Sequence, residues 1–207
     1  MLTPETARPW YPQDDPVHGY DHVLRVYHLA ERIARAEGAD LEIVRAAALL
    51  HDSSQRSAVS HQHSSADFAR QVLEAEGWAG ERIEAVLHCI RAHRFRDEVE
   101  SPRTLEAKVV FDADKLDAIG AIGAARAIAY AVQAGQPAYA EPSDRFKSSG
   151  QREPGEPHSA YHEYIFKLRH IPGRLYTRTA RLLAQRRSRF LAEFYEQLGA
   201  EIHLESS

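Results

Sequence analysis

The chain predicts an all-α fold, on three observations. Apolar residues recur with the 3.6-residue period of a helix through nearly every segment. No stretch alternates apolar and polar residues long enough to make a strand. Capping residues punctuate the periodic segments, with Asp40 at a helix start and Gly38 and Gly77 at two helix ends. One bundle of about six to eight helices over residues 1–207 is expected, with its core in 17–132 and 160–203.

In chain order, Val23, Val26, Leu29, Ala30 and Ile33 form an apolar stripe that stops at Gly38. Asp40 caps a second helix through Leu41, Val44, Ala47 and Ala48 to His51. A third runs over about 64–76 with Phe68, Ala69, Val72 and Leu73 inward. A fourth carries Ile83, Val86, Leu87 and Ile90 up to His93. Pro102 opens a fifth, which either continues past or breaks near Gly120 and Gly123. The last third holds a helix around 161–170 and a long one over about 174–201. Between them, residues 136–159 contain Pro137, Pro142, Pro154, Pro157, Gly150 and Gly155. That composition predicts a flexible loop that buries too little to order itself, read either as a lid or as a surface insertion.

Composition sets limits on function. Apolar content of 43% and charged content of 27% describe an ordinary globular protein with a full core. A net charge of −4 gives no reason to expect nucleic acid or a membrane surface as partner. The single cysteine, Cys89, excludes an internal disulfide and suits a reducing, cytoplasmic setting. The first fifteen residues lack the basic start and apolar centre of a signal peptide. Histidine, at twelve residues, is over-represented.

The pair His51-Asp52 closes the apolar run Ala46–Leu50, where an imidazole and a carboxylate are costly unless they hold something. Helix geometry then sorts the other candidates, because positions three, four and seven apart share a face. His22 extends the stripe of Val26 and Leu29, and His93 shares a face with Ile90, Cys89 and Val86, so both point inward. His28 and His88 share faces with charged residues. Asp114 lies with Val110, Phe111 and Ala118, and Asp117 follows it on that face. Asp112, between Lys108 and Lys115, reads as part of a solvated ion-pair face. A straight antiparallel hairpin would leave His22 and His51 about 7 Å apart in axial level, to be absorbed by helix crossing and side-chain reach.

Two imidazoles and two carboxylates, His22, His51, Asp52 and Asp114, make a complete shell for one divalent cation. In this order they resemble the HD-domain superfamily of metal-dependent phosphohydrolases. The segment His18-Gly-Tyr-Asp-His22 resembles the family's opening helix, and Phe111-Asp-Ala-Asp114-Lys-Leu-Asp117 is similar to a small bacterial branch that includes nucleotide pyrophosphohydrolases. So are the tail residues His162, Lys167, Arg187 and Phe190. The resemblance implies a single HD-type domain that hydrolyses a nucleoside or deoxynucleoside triphosphate to monophosphate and pyrophosphate. The ion is expected to be Mn²⁺, with Fe²⁺, Co²⁺, Ni²⁺, Zn²⁺ and Mg²⁺ also compatible. Asp52 or Asp117 would activate the water, and Arg25, His93 and Lys115 would meet the phosphates. The partner is then a small phosphorylated molecule, and a homodimer is left open. Ser53-Ser54-Gln55-Arg56 departs from the acidic or Gly-Lys sequence of several HD enzymes, against the cyclic-dinucleotide and guanosine-tetraphosphate branches. A nucleotidase or phosphodiesterase, or a non-catalytic nucleotide sensor, are the alternatives. His61 and His63 lie near a helix start, as loop residues or as ligands of a second metal.

Overall fold

The computed structural model describes residues 2–11, 19–53, 65–93 and 100–204. His18, Ser54, Gln55, Arg56, His61, His63 and Ser64 lie outside the described residues. Among the described residues there are ten α-helices, two short 3-10 helices and no strand, so the fold is all-α. The helices beyond the expected number include α1 (Pro4–Ala7) and α8 (Asp144–Ser149), too short to show a period in sequence. No described helix is long and apolar enough to cross a membrane.

The chain forms two compact units. The first comprises Met1–Asp114 with Leu175–Ala180. Its centre is α2 (Tyr20–Glu37) and α3 (Leu41–Leu50), which pack on each other, with α5 (Gly80–Ala92) against α3 and α4 (Ser65–Ala75) against α5. Gly38 ends α2 at φ 79°, its N–H bonded to Ala34 O, a left-handed cap that costs glycine little. Asp40 caps α3 by accepting from the Glu42 and Ile43 N–H groups. Val44, Ala46, Ala47, Ala48, Leu49 and Leu50 are all buried. Each of the two leucines contributes about 1.5–3 kcal/mol by leaving water.

The helix α6 (Leu105–Asp117) starts behind Thr104, whose Oγ1 accepts from Ala107 N, rather than at Pro102. It is buried on every side: Ala107, Val109, Val110, Asp112 and Ala113 are all inaccessible. The solvated face expected for Asp112 is therefore corrected. Its carboxylate accepts from Tyr176 N at 2.9 Å and from Thr177 N and Oγ1 at 2.7 Å. Thr177 in turn caps α10 (Arg178–His203), accepting from Ala180 N.

The second unit comprises Lys115–Arg174 with Arg181–Ser207. Here α7 (Gly120–Gln133) begins at a break, with Gly120 at φ 79°. A Cβ on Gly123 would lie 2.2 Å from Ala118 O, so it is the turn before α7 that needs this glycine. The helix α9 (Ala160–Phe166) packs on α7 and is followed by a 3-10 segment, Leu168–Arg174. Residues 136–159, expected to bury too little to order themselves, carry a short helix and a hydrogen-bonded hub. Ser143 caps α8, Phe146 is buried against the His162 ring, and the Glu156 carboxylate gathers four donors. One aromatic and one carboxylate thus supply the order that Pro and Gly content argued against.

Candidate metal centre

An α-helix leaves its last carbonyls without partners, and the end of α3 meets them with side chains. Ala48 O accepts from His51 Nδ1 at 2.9 Å, and Leu49 O accepts from the Tyr11 hydroxyl at 2.7 Å. Leu50 O accepts from both the N–H and the Oγ of Ser53. Ser53, which looked anomalous in sequence, is thus a helix cap. The His51 bond places the ring proton on Nδ1 and leaves Nε2 with its lone pair. That Nε2 is fully buried and makes no hydrogen bond among the described residues. Burial lowers the His51 pKa, against the pull of the Asp52 charge, and so favours the neutral ring that a ligand must be.

Around this nitrogen the other donors converge. The His22 and His51 rings lie 5.4 Å apart, so the axial offset is absorbed without turning either stripe. Ligand atoms of His22, His51 and Asp114 all fall within 4.8 Å of one another. His22 Nε2 is 3.5 Å from Asp114 Oδ1 and 3.8 Å from Asp52 Oδ2. His51 Nε2 is 3.4 Å from Asp52 Oδ2. Donors bound at about 2.1 Å to one cation sit about 3.0–4.2 Å apart, and the three imidazole–carboxylate separations fall in that range. Burial works to raise the Asp52 carboxyl, but the His51 and His93 imidazoles outweigh it and hold the group well below the usual carboxylate range. Two carboxylates and an orphaned buried imidazole nitrogen therefore face one small space, and a divalent cation fits it.

The HD-domain profile matches residues 19–119, which include His22, His51, Asp52 and Asp114. Bacillus subtilis YpgQ is 36% identical over 188 residues, covering 89% of this chain and 84% of that protein. The chain belongs to the HD-domain family of metal-dependent phosphohydrolases. A crystal structure of B. subtilis YpgQ in complex with ADP matches with a TM-score of 0.74 and 33% identity, covering 97% of this chain and 98% of that one. A Lactobacillus plantarum structure gives a TM-score of 0.79 at 33% identity, over 99% and 100% of the two chains. An HD-superfamily hydrolase from Bacillus thuringiensis gives 0.72 at 27% identity, over 97% and 94%.

The HD-domain centre gathers one further residue expected from the sequence. His93 is buried, donates from Nδ1 to Ile90 O, and turns Nε2 toward Asp52 Oδ1 at 3.6 Å. Arg25 is half-buried one turn after His22 on α2. Lys115 is buried and directly follows Asp114 in α6. Asp117 is buried in an ion pair with Arg126 at 2.7 Å. His28 is exposed, as its face required. His88 sits on its charged face but is buried there, bonding Glu100 through Nδ1 and accepting from Arg103 N at Nε2. His162 is not on a surface face: it is buried and bonded to Glu156 and Ser159, while Lys167 pairs with Glu163. No sequence pattern marks Tyr11, which lies 38 positions from the carbonyl it bonds.

Proposed function

We propose that this centre hydrolyses a nucleoside or deoxynucleoside triphosphate to the monophosphate and pyrophosphate, with Mn²⁺ as its ion. The observation that carries the reading is the buried, unbonded His51 Nε2 facing His22, Asp52 and Asp114. The ADP complex of YpgQ supports a nucleotide as ligand for this relative as well. His22, His51, Asp52 and Asp114 hold the ion. A divalent cation bound there lowers the pKa of its water and polarises a phosphoryl oxygen.

The chain's own residues do the rest. Asp52, held in its anionic form, orients the attacking water as an acceptor. His93, whose Nδ1 is committed to Ile90 O, presents Nε2 beside Asp52 and receives the proton there. Arg25 and the protonated His93 then stabilise charge on the phosphates. The water oxygen bonds to the α-phosphorus, and the bond from that phosphorus to the β-phosphate oxygen breaks, releasing pyrophosphate. Asp117 has no proton-handling role in this scheme, because Arg126 engages its carboxylate. The test is a product assay over nucleoside mono-, di- and triphosphates with Mn²⁺ and with chelator. Pyrophosphate from triphosphates, abolished by chelator, supports the proposal. Orthophosphate from monophosphates alone makes the protein a nucleotidase, and binding without turnover makes it a sensor.

A further inference from the structure

The segment before the HD-domain match is tied to the helices that carry the metal donors. Thr3 and Thr6 close a reciprocal capping box around α1, and the 3-10 turn Arg8–Trp10 follows it. Ala7 and Tyr11 are buried in a cluster with Val23 of α2 and Leu49 of α3, flanked by Leu2, Trp10, Tyr20 and Tyr27. Two hydroxyls fix this layer: Tyr20 donates to Pro4 O and Tyr11 to Leu49 O, each at 2.7 Å. Tyr11 therefore bonds the main chain two residues before His51. Burial, aided by the nearby Asp52 charge, pushes its hydroxyl well above the usual tyrosine range, while the Asp52 main-chain N–H pulls the other way.

We infer that Tyr11 is a positioning residue for the metal centre, setting the turn at the end of α3 that aims His51 and Asp52 at the cation. The geometry distinguishes this from packing alone. Ring burial would hold α3 against α1 with any large apolar side chain. The hydroxyl instead holds the Leu49 carbonyl in the last turn of α3, two residues before His51, where a rotation of the turn moves both ligands together. Groups that orient metal ligands from behind contribute about tenfold or more to affinity, and Tyr11 does so through the main chain.

The inference rests on the metal-centre reading, and the experiment separates the two. Mn²⁺ affinity is measured by calorimetric titration, and the visible spectrum of the Co²⁺-loaded protein reports ligand geometry. The variants are Tyr11→Phe, which keeps the ring, and Thr3→Ala, which opens the α1 cap without touching α3. Tyr11→Phe is expected to weaken Mn²⁺ binding by about tenfold and to alter the Co²⁺ spectrum. Thr3→Ala is expected to lower the Tm while leaving affinity and spectrum unchanged. Unchanged affinity and spectrum in Tyr11→Phe, with the unmodified protein binding metal, overturn the positioning role alone. Equal losses in the two variants also overturn it, by reducing Tyr11 to general support. An unmodified protein that binds no metal overturns the metal-centre reading, and this inference with it.

Discussion

Two histidine–carboxylate clusters in this chain look alike in composition and differ in what they leave unmet. At Glu156 the carboxylate accepts from Ser143 N, Ser143 Oγ, Glu153 N and His162 Nε2. The other nitrogen of His162 pairs with Ser159 Oγ, so the buried ring is bonded at both nitrogens. At the end of α3, His51 is equally buried, but one nitrogen has no hydrogen-bond partner among the described residues, and two carboxylates stand near it. A buried polar atom left without a bond costs about 1–3 kcal/mol, a cost that a cation bound there would offset. The lesson is that satisfaction separates a structural cluster from a binding one, where residue type does not. Asp112 sharpens the point: two residues before Asp114 on one helix, it is buried with three donors and belongs with the satisfied class.

The largest effect that can break this contrast is loss of the ion. His51→Ala or Asp114→Ala should take bound metal from one per chain to none, as read by elemental analysis. Mn²⁺ at a hundredfold excess over its Kd should stabilise the unmodified protein by about 2.7 kcal/mol and these variants not at all. His162→Ala should keep its metal, and loss of metal there would erase the distinction. Next in size, Asp112→Ala strands buried donors and should cost at least about 1–3 kcal/mol in denaturant titration, with metal stoichiometry retained. Metal loss from Asp112→Ala without unfolding would move Asp112 into the binding class.

A smaller effect concerns pH. The Ser143 N–H above all, with the other donors, holds the Glu156 carboxyl at about 2, against an ordinary 4.5. A carboxyl depressed in the folded state stabilises fully above the unfolded value. That contribution is lost as pH falls from about 4.5 to about 2. Glu156→Gln should lower the Tm by a few degrees at neutral pH and flatten its fall across that window. Parallel acid profiles for the two proteins would show the hub to be uncharged. The smallest effect expected is none: His28→Ala, on an exposed ring, should leave both metal content and Tm where they were.

Much of this was legible in the sequence because the long helices bury one stripe and show it. Val23 to Ile33 and Val44 to Leu50 placed His22 and His51 on inward faces, and the structure brings their rings to 5.4 Å. The same reasoning misplaced Asp112 because α6 is buried all round, so a facing argument has no outside to assign. His88 was misread for a related reason, since a polar face can be buried when a loop carboxylate such as Glu100 covers it. Tyr11 and the Glu156 hub depend on partners that no local period encodes.

The most direct test of the central claim is anomalous diffraction from crystals grown with Mn²⁺. The account predicts one strong peak within about 2.3 Å of His22 Nε2, His51 Nε2 and a carboxylate oxygen of each of Asp52 and Asp114. No peak there at saturating Mn²⁺, or a peak at Glu156 and His162 instead, would contradict it.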